Sequence, residues 1–139
     1  MGGGRYMFRI VQVNRSESTC SEFVLIQNQG NMRQALRGLT LMSDCAIETG
    51  DLGLAHVFTE NEQVPPGAFV LLHTGCGTAS ITRCKDGIIY RTYMNRPDCV
   101  WSPCPGAIHV MAPHHTYVDR RQARSNFQAV EDLAFASAC

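Results

Sequence analysis

The sequence has very little lysine and no excess of charge of either sign. Lys85 is the single lysine among twelve basic residues, and twelve acidic residues balance them to a formal net charge of zero. A chain without net charge has no overall field that would draw it to nucleic acid or to an anionic membrane. The composition therefore gives no indication of a polyanionic partner.

Long apolar runs are also missing. No stretch approaches the roughly 20 apolar residues that a membrane-spanning helix needs, and the opening MGGGRYMFRI lacks the basic start, apolar centre and small-residue cleavage site of a secretory signal. We therefore expect a cytoplasmic protein without a membrane partner. The 139 residues, 45% of them hydrophobic, suit one domain with one core.

Cysteine, in contrast, is abundant, with seven residues. Because the number is odd, at least one thiol has to be free or shared between chains. Cytosolic proteins rarely hold structural disulfides, so we do not expect a full disulfide framework. If an upstream signal had been removed, pairs such as Cys99 with Cys104 would become plausible.

Short apolar segments of strand length recur along most of the chain. They are RYMFRIVQV, EFVLIQN, LAHVFT, AFVLLHT, CVW and AIHVMA, together with RQALRGLTLMS, which is interrupted at Gly38. Asp86-Gly87 predicts a turn between two further strands, ITRC and GIIYRTY. The polar segments DCAIETGDLG and ENEQVPPG are predicted connections. This regular spacing favours an all-β sandwich or barrel.

The last residues follow a different pattern. Ser125 and Gln128 have the spacing of a capping box, and apolar residues recur at helical spacing at Phe127, Val130 and Leu133 or Ala134. We therefore predict a β domain at 6–121 followed by a short C-terminal helix within a tail at 122–139. The apolar stripe of that helix must cover the β domain or meet a partner.

The order of the segments resembles the lamin tail domain, an immunoglobulin-like β-sandwich found in nuclear lamins and in many bacterial and archaeal proteins. EFVLIQNQG, with Glu22 and Asn28, is similar to the family's second strand, and LRGLTLMSD, with Gly38, to its third. A proline-glycine pair, a Thr-Gly-x-Gly turn and a later tryptophan complete the resemblance at Pro66, Gly67, Gly75, Gly77 and Trp101. The resemblance implies an immunoglobulin-like fold and a module that usually belongs to a larger protein.

Two positions depart from the family pattern. Leu39 stands where the family usually has tryptophan and Ala107 where aspartate is common, so the core packing and one loop are expected to differ. The family needs positive backbone torsions or close turning where Gly75 and Gly77 lie, which explains both glycines without catalysis. Asn28 is interpreted as an amide that caps backbone groups of the adjoining loop.

His73 and Cys76 look at first sight like a base and a nucleophile. A catalytic thiol needs a base within hydrogen-bond reach, but residues three positions apart on a strand point to opposite faces unless a turn has begun. No local pattern of a cysteine protease is present. We interpret PPGAFVLLHTGCGTAS as a strand that runs into a turn, and we predict no catalytic residue and no cofactor.

A metal site is the stronger alternative for the second half of the chain, which is rich in cysteine and histidine. The best ligand set combines Cys99 and Cys104 with His114 or His115. The spacing is poor, because Cys99 and Cys104 form the only close cysteine pair there and adjacent histidines cannot readily share one tetrahedral ion. We therefore predict no metal, with this set as the alternative.

A small basic patch near the C-terminus is formed by Arg120, Arg121 and Arg124. Lamin tails bind DNA and proteins, but three arginines beside Asp119, with few aromatic residues nearby, are more typical of a solvated surface. Nucleic acid is therefore a weaker alternative to a protein partner.

The leading functional hypothesis is a non-enzymatic module that binds a protein partner, or a second copy of itself, through exposed strand edges and loops. The alternative is a small metal- or thiol-dependent enzyme that uses the cysteines and histidines of the second half. An enzyme needs these residues to converge in a concave pocket, whereas a binding module scatters them.

Overall fold

The computed structural model of the protein describes residues 7–113. The predicted C-terminal helix, the domain boundary at 121, His114, His115 and the arginine patch all lie outside the described residues. The elements are β1 (Phe8–Asn14), β2 (Phe23–Asn28), β3 (Gln34–Ala35), β4 (Thr40–Ser43), α1 (Asp44–Thr49), β5 (Ala55–Val57), β6 (Gln63–Val64), β7 (Phe69–His73), β8 (Ser80–Cys84), β9 (Gly87–Tyr93) and β10 (Ile108–Met111), with a single 3-10 turn at Leu52–Leu54. The prediction of an all-β fold is confirmed for this part of the chain.

The strands form two main sheets. One has five strands in the order β1-β2-β7-β9-β8, the other has three in the order β10-β4-β5, and β3 and β6 make a separate pair. Neighbouring strands are antiparallel except β7 and β9, which run parallel. The chain leaves β7, runs along the sheet edge as β8 and returns as β9 between the two. The predicted hairpin around Asp86-Gly87 is therefore present as β8 and β9.

One core joins the two main sheets. In β2 and β7 every second residue is fully buried, because side chains of a strand alternate between its two faces. Val24, Ile26, Val70 and Leu72 of these strands pack with Leu41 of β4 in one cluster. Connecting segments add the large buried side chains of Leu36, Leu39, Phe58 and Trp101 to the same cluster.

The segment that follows β4, predicted to be a connection, contains the helix α1. The hydroxyl of Ser43 caps its start by accepting a hydrogen bond from the Ala46 N–H at 3.2 Å, and Gly50 ends it with a φ of 72°. Serine before a helix and glycine after it are a recognised start and stop signal. The helix is too short to show an apolar periodicity, which is why the pattern missed it.

Two strand predictions and one predicted connection were wrong. CVW at 99–101 forms no strand. The backbone N–H groups of Val100 and Trp101 donate to the carboxylate of Glu22 and not to a neighbouring strand. RQALRGLTLMS is split between two sheets as β3 and β4, since Gly38 with a φ of 91° turns the chain between them. ENEQVPPG, predicted to be a connection, contains β6, which pairs with β3.

A disulfide joins Cys45 in α1 to Cys104 in the segment before β10, over a sequence separation of 59 residues. The pairing of Cys99 with Cys104, considered from their close spacing, is therefore wrong. Sequence spacing could not reveal the true pair, because only the fold brings α1 beside residue 104.

Among residues 7–113 no helix is long and apolar enough to cross a membrane.

Candidate functional site

The side of the five-stranded sheet that points away from the core is apolar. Register places the partly exposed residues of β2, β7 and β9 side by side, and residues paired directly across strands share one side of a sheet. The alternate residues of the same strands lie in the core or pack against it. We call this surface the outer face and define it by Phe23, Leu25, Gln27, Phe69, Leu71, His73, Ile89, Arg91 and Tyr93, of which Gln27 is the polar member of β2.

Polar residues border the outer face on both edge strands. By register, Arg9, Gln12 and Asn14 of β1 flank it on one side, and Ser80 and Thr82 of β8 flank it on the other. A sheet with one solvated side normally alternates apolar residues inward with polar residues outward. β2 and β7 depart from that rule, and an apolar centre within a polar border is typical of an interaction surface.

The charge of this side of the sheet is of one sign. Arg9 and Arg91 are its cationic side chains, and no aspartate or glutamate of residues 7–113 occupies a register position on it. Interfaces generally pair patches of opposite charge. The outer face is therefore complementary to an apolar surface that carries negative charge.

An aromatic row crosses one end of the outer face. The ring of His73 stacks on Tyr93, with centroids 4.8 Å apart and planes 15° apart. On its other side, His73 meets the edge of Phe23 at a centroid distance of 6.3 Å. Register fixes the row, because Phe23 pairs with His73 and His73 pairs with Tyr93 on adjacent strands.

Close packing explains the two glycines of the turn after β7. A Cβ atom at Gly77 would lie 2.4 Å from the ring of Tyr93, and one at Gly75 would lie 3.1 Å from the backbone oxygen of Thr19. Neither glycine has a positive φ, so of the two reasons expected, positive torsions or close turning, close approach is the one that applies to both. The missing side chain of Gly77 thereby leaves room for the ring of Tyr93 in the aromatic row.

The side chain of His73 packs within the outer face. Its Nε2 atom is buried and has no hydrogen-bond partner within the described part of the chain. Burial, and then the charge of Arg91, lower the pKa of His73 below its ordinary value. Cys76 lies exposed in the turn beyond the strand. The neutral, stacked ring is the arrangement of a packing residue.

Acid should weaken the fold through His73. Because the pKa of His73 is lowered in the folded chain, the unfolded chain takes up this proton first as the pH falls. The contribution of His73 is complete above pH about 6.5 and is lost as the pH falls through the folded pKa. We expect His73→Phe, which keeps a ring against Tyr93, to have a flatter dependence of the unfolding free energy below pH about 6.5.

Urea denaturation at a series of pH values measures this dependence. Gln27→Phe is the matched control, because it adds a ring to the same side of β2 without removing a titrating group, and it should keep the slope of the unchanged protein. A His73→Phe variant with that same slope would show that His73 does not contribute to acid sensitivity.

A buried polar cluster holds the start of β2 to two distant segments. The side chain of Glu22 is fully buried. Its carboxylate accepts hydrogen bonds from the hydroxyls of Thr74 and Ser102, both at 2.6 Å, and from the backbone N–H groups of Val100, Trp101 and Ser102 at 2.8, 3.1 and 2.8 Å. We call this group the Glu22 cluster. The sequence pointed to Glu22 through the family motif but gave none of its partners.

The Glu22 carboxylate is stabilised in its charged form. Burial alone would raise the pKa of Glu22, but hydrogen bonds from Ser102, Thr74 and the backbone of Val100 and Trp101 outweigh burial and hold the pKa below its ordinary value. Glu22 is a structural residue, because both of its carboxylate oxygens accept hydrogen bonds from the protein itself. The Glu22 cluster therefore positions the turn after β7 and the segment before β10.

Asn28 makes the loop-capping contacts expected for an amide at a strand end. Its Nδ2 atom donates to the carbonyls of Met32 and Val64, both at 2.9 Å, and its Oδ1 atom accepts from Gly30 at 3.0 Å. Its backbone carbonyl accepts from Gly67, which follows Pro66 in a turn with a φ of 85°. Glu22 and Asn28, the two motif residues of this segment, thus form hydrogen bonds at the two ends of β2 with the segments that flank β7.

Of the alternative metal-ligand set, only Cys99 and Cys104 lie within the described residues. Among residues 7–113 no three histidine, cysteine, aspartate or glutamate side chains converge on one point. The sulfur of Cys104 is bonded to Cys45, which excludes it as a thiolate ligand. The Cys99 thiol donates to the Ser16 carbonyl at 3.0 Å, and burial, with the nearby Glu22 charge, raises its pKa. Cys99 and Cys104 therefore do not form a ligand pair.

Comparisons with known proteins identify no relative. No family model, no curated protein and no solved structure matches the chain. The outer face and the Glu22 cluster are therefore the observations from which a function has to be inferred.

Proposed function

We propose that the chain is a non-enzymatic interaction module of immunoglobulin-like, lamin-tail-like fold that binds a protein partner through the outer face. Two sheets that share one core, with the family motif residues Glu22, Asn28 and Trp101 all buried, support this fold. The observation that carries the function is the apolar outer face between polar edge strands.

The composition of the outer face suits a protein interface. The centres of such interfaces are rich in aromatic residues and arginine and poor in lysine, glutamate and aspartate. Phe23, Phe69 and Tyr93 supply aromatic area and Arg91 supplies a planar donor group among them. The absence of aspartate and glutamate from the described register positions on this side of the sheet agrees with the composition of interface centres.

The strand edges, which the sequence suggested as binding sites, are less suitable. The register of β1 shifts between Ile10 and Gln12, and such a bulge twists an edge away from further pairing. β8 is exposed along its whole length but carries Arg83, a charge of the kind that discourages edge pairing. The proposal therefore assigns binding to the face of the sheet.

A charge placed in the centre of the outer face should abolish binding. We expect Leu71→Asp to reduce the recovery of a cross-linked protein partner by at least about tenfold, as for loss of a central interface residue. The full chain, immobilised in a lysate of its source, is cross-linked, and captured proteins are quantified by mass spectrometry. Sedimentation of the purified chain measures association with a second copy.

Val57→Asp is the matched control, since Val57 is 52% exposed on β5 of the other sheet. It should leave recovery unchanged. Leu25→Gln is a milder second variant at the outer face in case Leu71→Asp does not fold, which circular dichroism would reveal. Equal recovery by the outer-face variants and the control would contradict the proposal.

A further inference from the structure

The loop before β2 and the turn after β7 are joined beyond the ends of the two strands. The backbone N–H of Thr74 donates to the carbonyl of Glu22 at 3.2 Å, and the hydroxyl of Thr74 donates to the Glu22 carboxylate at 2.6 Å. One residue further on, the backbone N–H of Gly75 donates to the carbonyl of Thr19 at 3.1 Å. These hydrogen bonds hold the two segments side by side.

A cysteine follows each of the last two bonded residues. Cys20 comes directly after Thr19, and Cys76 comes directly after Gly75. A Cβ atom at Gly75 would lie 3.5 Å from the backbone nitrogen of Cys20. With standard backbone dimensions, the Cα atoms of Cys20 and Cys76 are therefore within about 10 Å of each other. A disulfide needs about 5.5–6 Å between its Cα atoms, so a shift of no more than about 4–5 Å closes the gap.

The backbone around both cysteines can make this adjustment. Cys20 and Cys76 are exposed thiols, and residues 76–79 are exposed along the whole turn. Exposed turns open at a much lower free-energy cost than core strands. The Glu22 cluster and the buried Gly75 stay in place while the exposed ends of the two segments move together.

Cys84 is too far away to compete as a partner. It pairs with Gly87 at the start of β9, whereas Gly77, next to Cys76, lies against the ring of Tyr93 at the end of the same strand. The seven residues of β9 separate these two ends by about 20 Å. Cys84 therefore provides an exposed thiol for comparison that has the same chemistry and a different location.

Cys99 is engaged elsewhere. Its thiol donates to the carbonyl of Ser16 at 3.0 Å. Burial, and then the charge of Glu22, raise the pKa of Cys99, and thiol exchange requires the thiolate. Among the thiols of residues 7–113, Cys20 is therefore the best placed to react with Cys76.

We propose that Cys20 and Cys76 are a thiol pair that a small-molecule disulfide, such as oxidised glutathione, converts to a second disulfide bond within the chain. The bond fastens the loop before β2 to the turn after β7, beside the Glu22 cluster. One sulfur of the bond between Cys45 and Cys104 is buried, whereas both cysteines of the new pair are exposed to a reagent in solution. This inference goes beyond the proposed function, because it requires no partner protein.

The reaction consists of two successive thiol-disulfide exchanges. The thiolate of one cysteine attacks a sulfur of oxidised glutathione, which forms a mixed disulfide and releases one glutathione thiolate. The thiolate of the other cysteine attacks the cysteine sulfur of the mixed disulfide, which forms the bond between Cys20 and Cys76 and releases the second glutathione thiolate. The two cysteine sulfurs are oxidised, the small disulfide is reduced to two thiols, and these thiols take up the two cysteine protons.

Treatment of the full chain with oxidised glutathione, followed by an acid quench and mass spectrometry without reductant, tests the inference. Digestion at arginine and glutamate separates Cys76 from Cys45, so linked peptides identify each pair. We expect a new link between the peptides of Cys20 and Cys76, with the loss of two further hydrogen atoms. Cys84 should instead keep a glutathione adduct.

Single variants trap the intermediate. Cys20→Ser should hold a glutathione adduct at Cys76, and Cys76→Ser should hold one at Cys20, because neither mixed disulfide has a second thiol to resolve it. Attack within one chain has a high effective concentration, so we expect at least about tenfold more adduct in these variants than at the same positions of the unchanged protein. Cys84→Ser is the matched control and should still form the new bond.

Three results would overturn the inference. The first is adducts that persist on both Cys20 and Cys76 in the unchanged protein at the level of the single variants. The second is a bond from either residue to Cys99 or Cys139 in place of the expected pair. The third is a link between Cys20 and Cys76 that occurs only in a product with the mass of two chains.

Discussion

Replacing Glu22 with alanine should lower the free energy of unfolding by roughly 3–5 kcal/mol, a loss at the upper end for a single substitution. The reason is that the change removes one fully buried carboxylate and leaves several donors without a partner. Each unsatisfied buried donor costs about 1–3 kcal/mol, with partial relief from structural relaxation. Chemical denaturation followed by far-ultraviolet circular dichroism measures the difference.

Glu17→Ala is the matched control, because Glu17 is exposed in the loop that leads to Glu22. It should change stability by no more than about 0.5 kcal/mol. If Glu22→Ala were as stable as this control, the Glu22 cluster would not hold the fold together.

The effect of Glu22 should also depend on pH. Because the pKa of Glu22 is lowered in the folded chain, its contribution is complete above the unfolded value near 4.5 and is lost as the pH falls through the folded pKa. The difference in stability between Glu22→Ala and the unchanged protein should therefore shrink below pH about 4.5. A difference that stays constant in acid would show that the carboxylate charge plays no part.

Removing the disulfide should have the second large effect. We expect the double variant Cys45→Ala, Cys104→Ala to lose about 2–4 kcal/mol of unfolding free energy, because the bond closes a loop over a sequence separation of 59 residues and so restricts the unfolded chain. Denaturation with and without a reductant measures the loss. Reductant should destabilise the unchanged protein and leave the double variant unaffected.

Cys84→Ala is the control for this measurement, since Cys84 is an exposed free thiol of the edge strand β8. Cys84→Ala should keep the full response to reductant. Intact mass under native conditions shows whether the chain has lost the two hydrogen atoms that one disulfide removes. Insensitivity of the oxidised, unchanged protein to reductant would contradict a stabilising bond.

We propose that such a bond functions in an oxidising compartment, contrary to the cytoplasmic location expected from the sequence.

Local pattern was enough to predict most strands but not their partners. The apolar segments at β1, β2, β7 and β10 and the turn at Asp86-Gly87 were predicted because strand length and turn chemistry are local properties. The assignment of β3 and β4 to different sheets depends on long-range pairing, which no local pattern contains. The same limit applies to Cys45 and Cys104, which lie far apart along the chain.

The outer face left a signal in the sequence that the strand assignment did not use. FVLI in β2 and FVLL in β7 are continuous apolar runs, whereas a strand with one solvated side alternates. Continuous runs indicate strands that are covered on both sides. The aromatic row could not be predicted from the sequence, because the parallel register of β7 and β9 is what brings His73 and Tyr93 together.

The bond between Cys45 and Cys104 also divides the chain into a covalent ring and two arms. Strands β5 to β9 belong to the ring, while β1 to β4 and β10 belong to the arms. Each main sheet draws strands from both parts, so neither sheet lies wholly within one of them. A single proteolytic cut inside the ring, for example in the hairpin tip at Lys85 and Asp86, would therefore leave both fragments on one molecule until the sulfur bond is reduced.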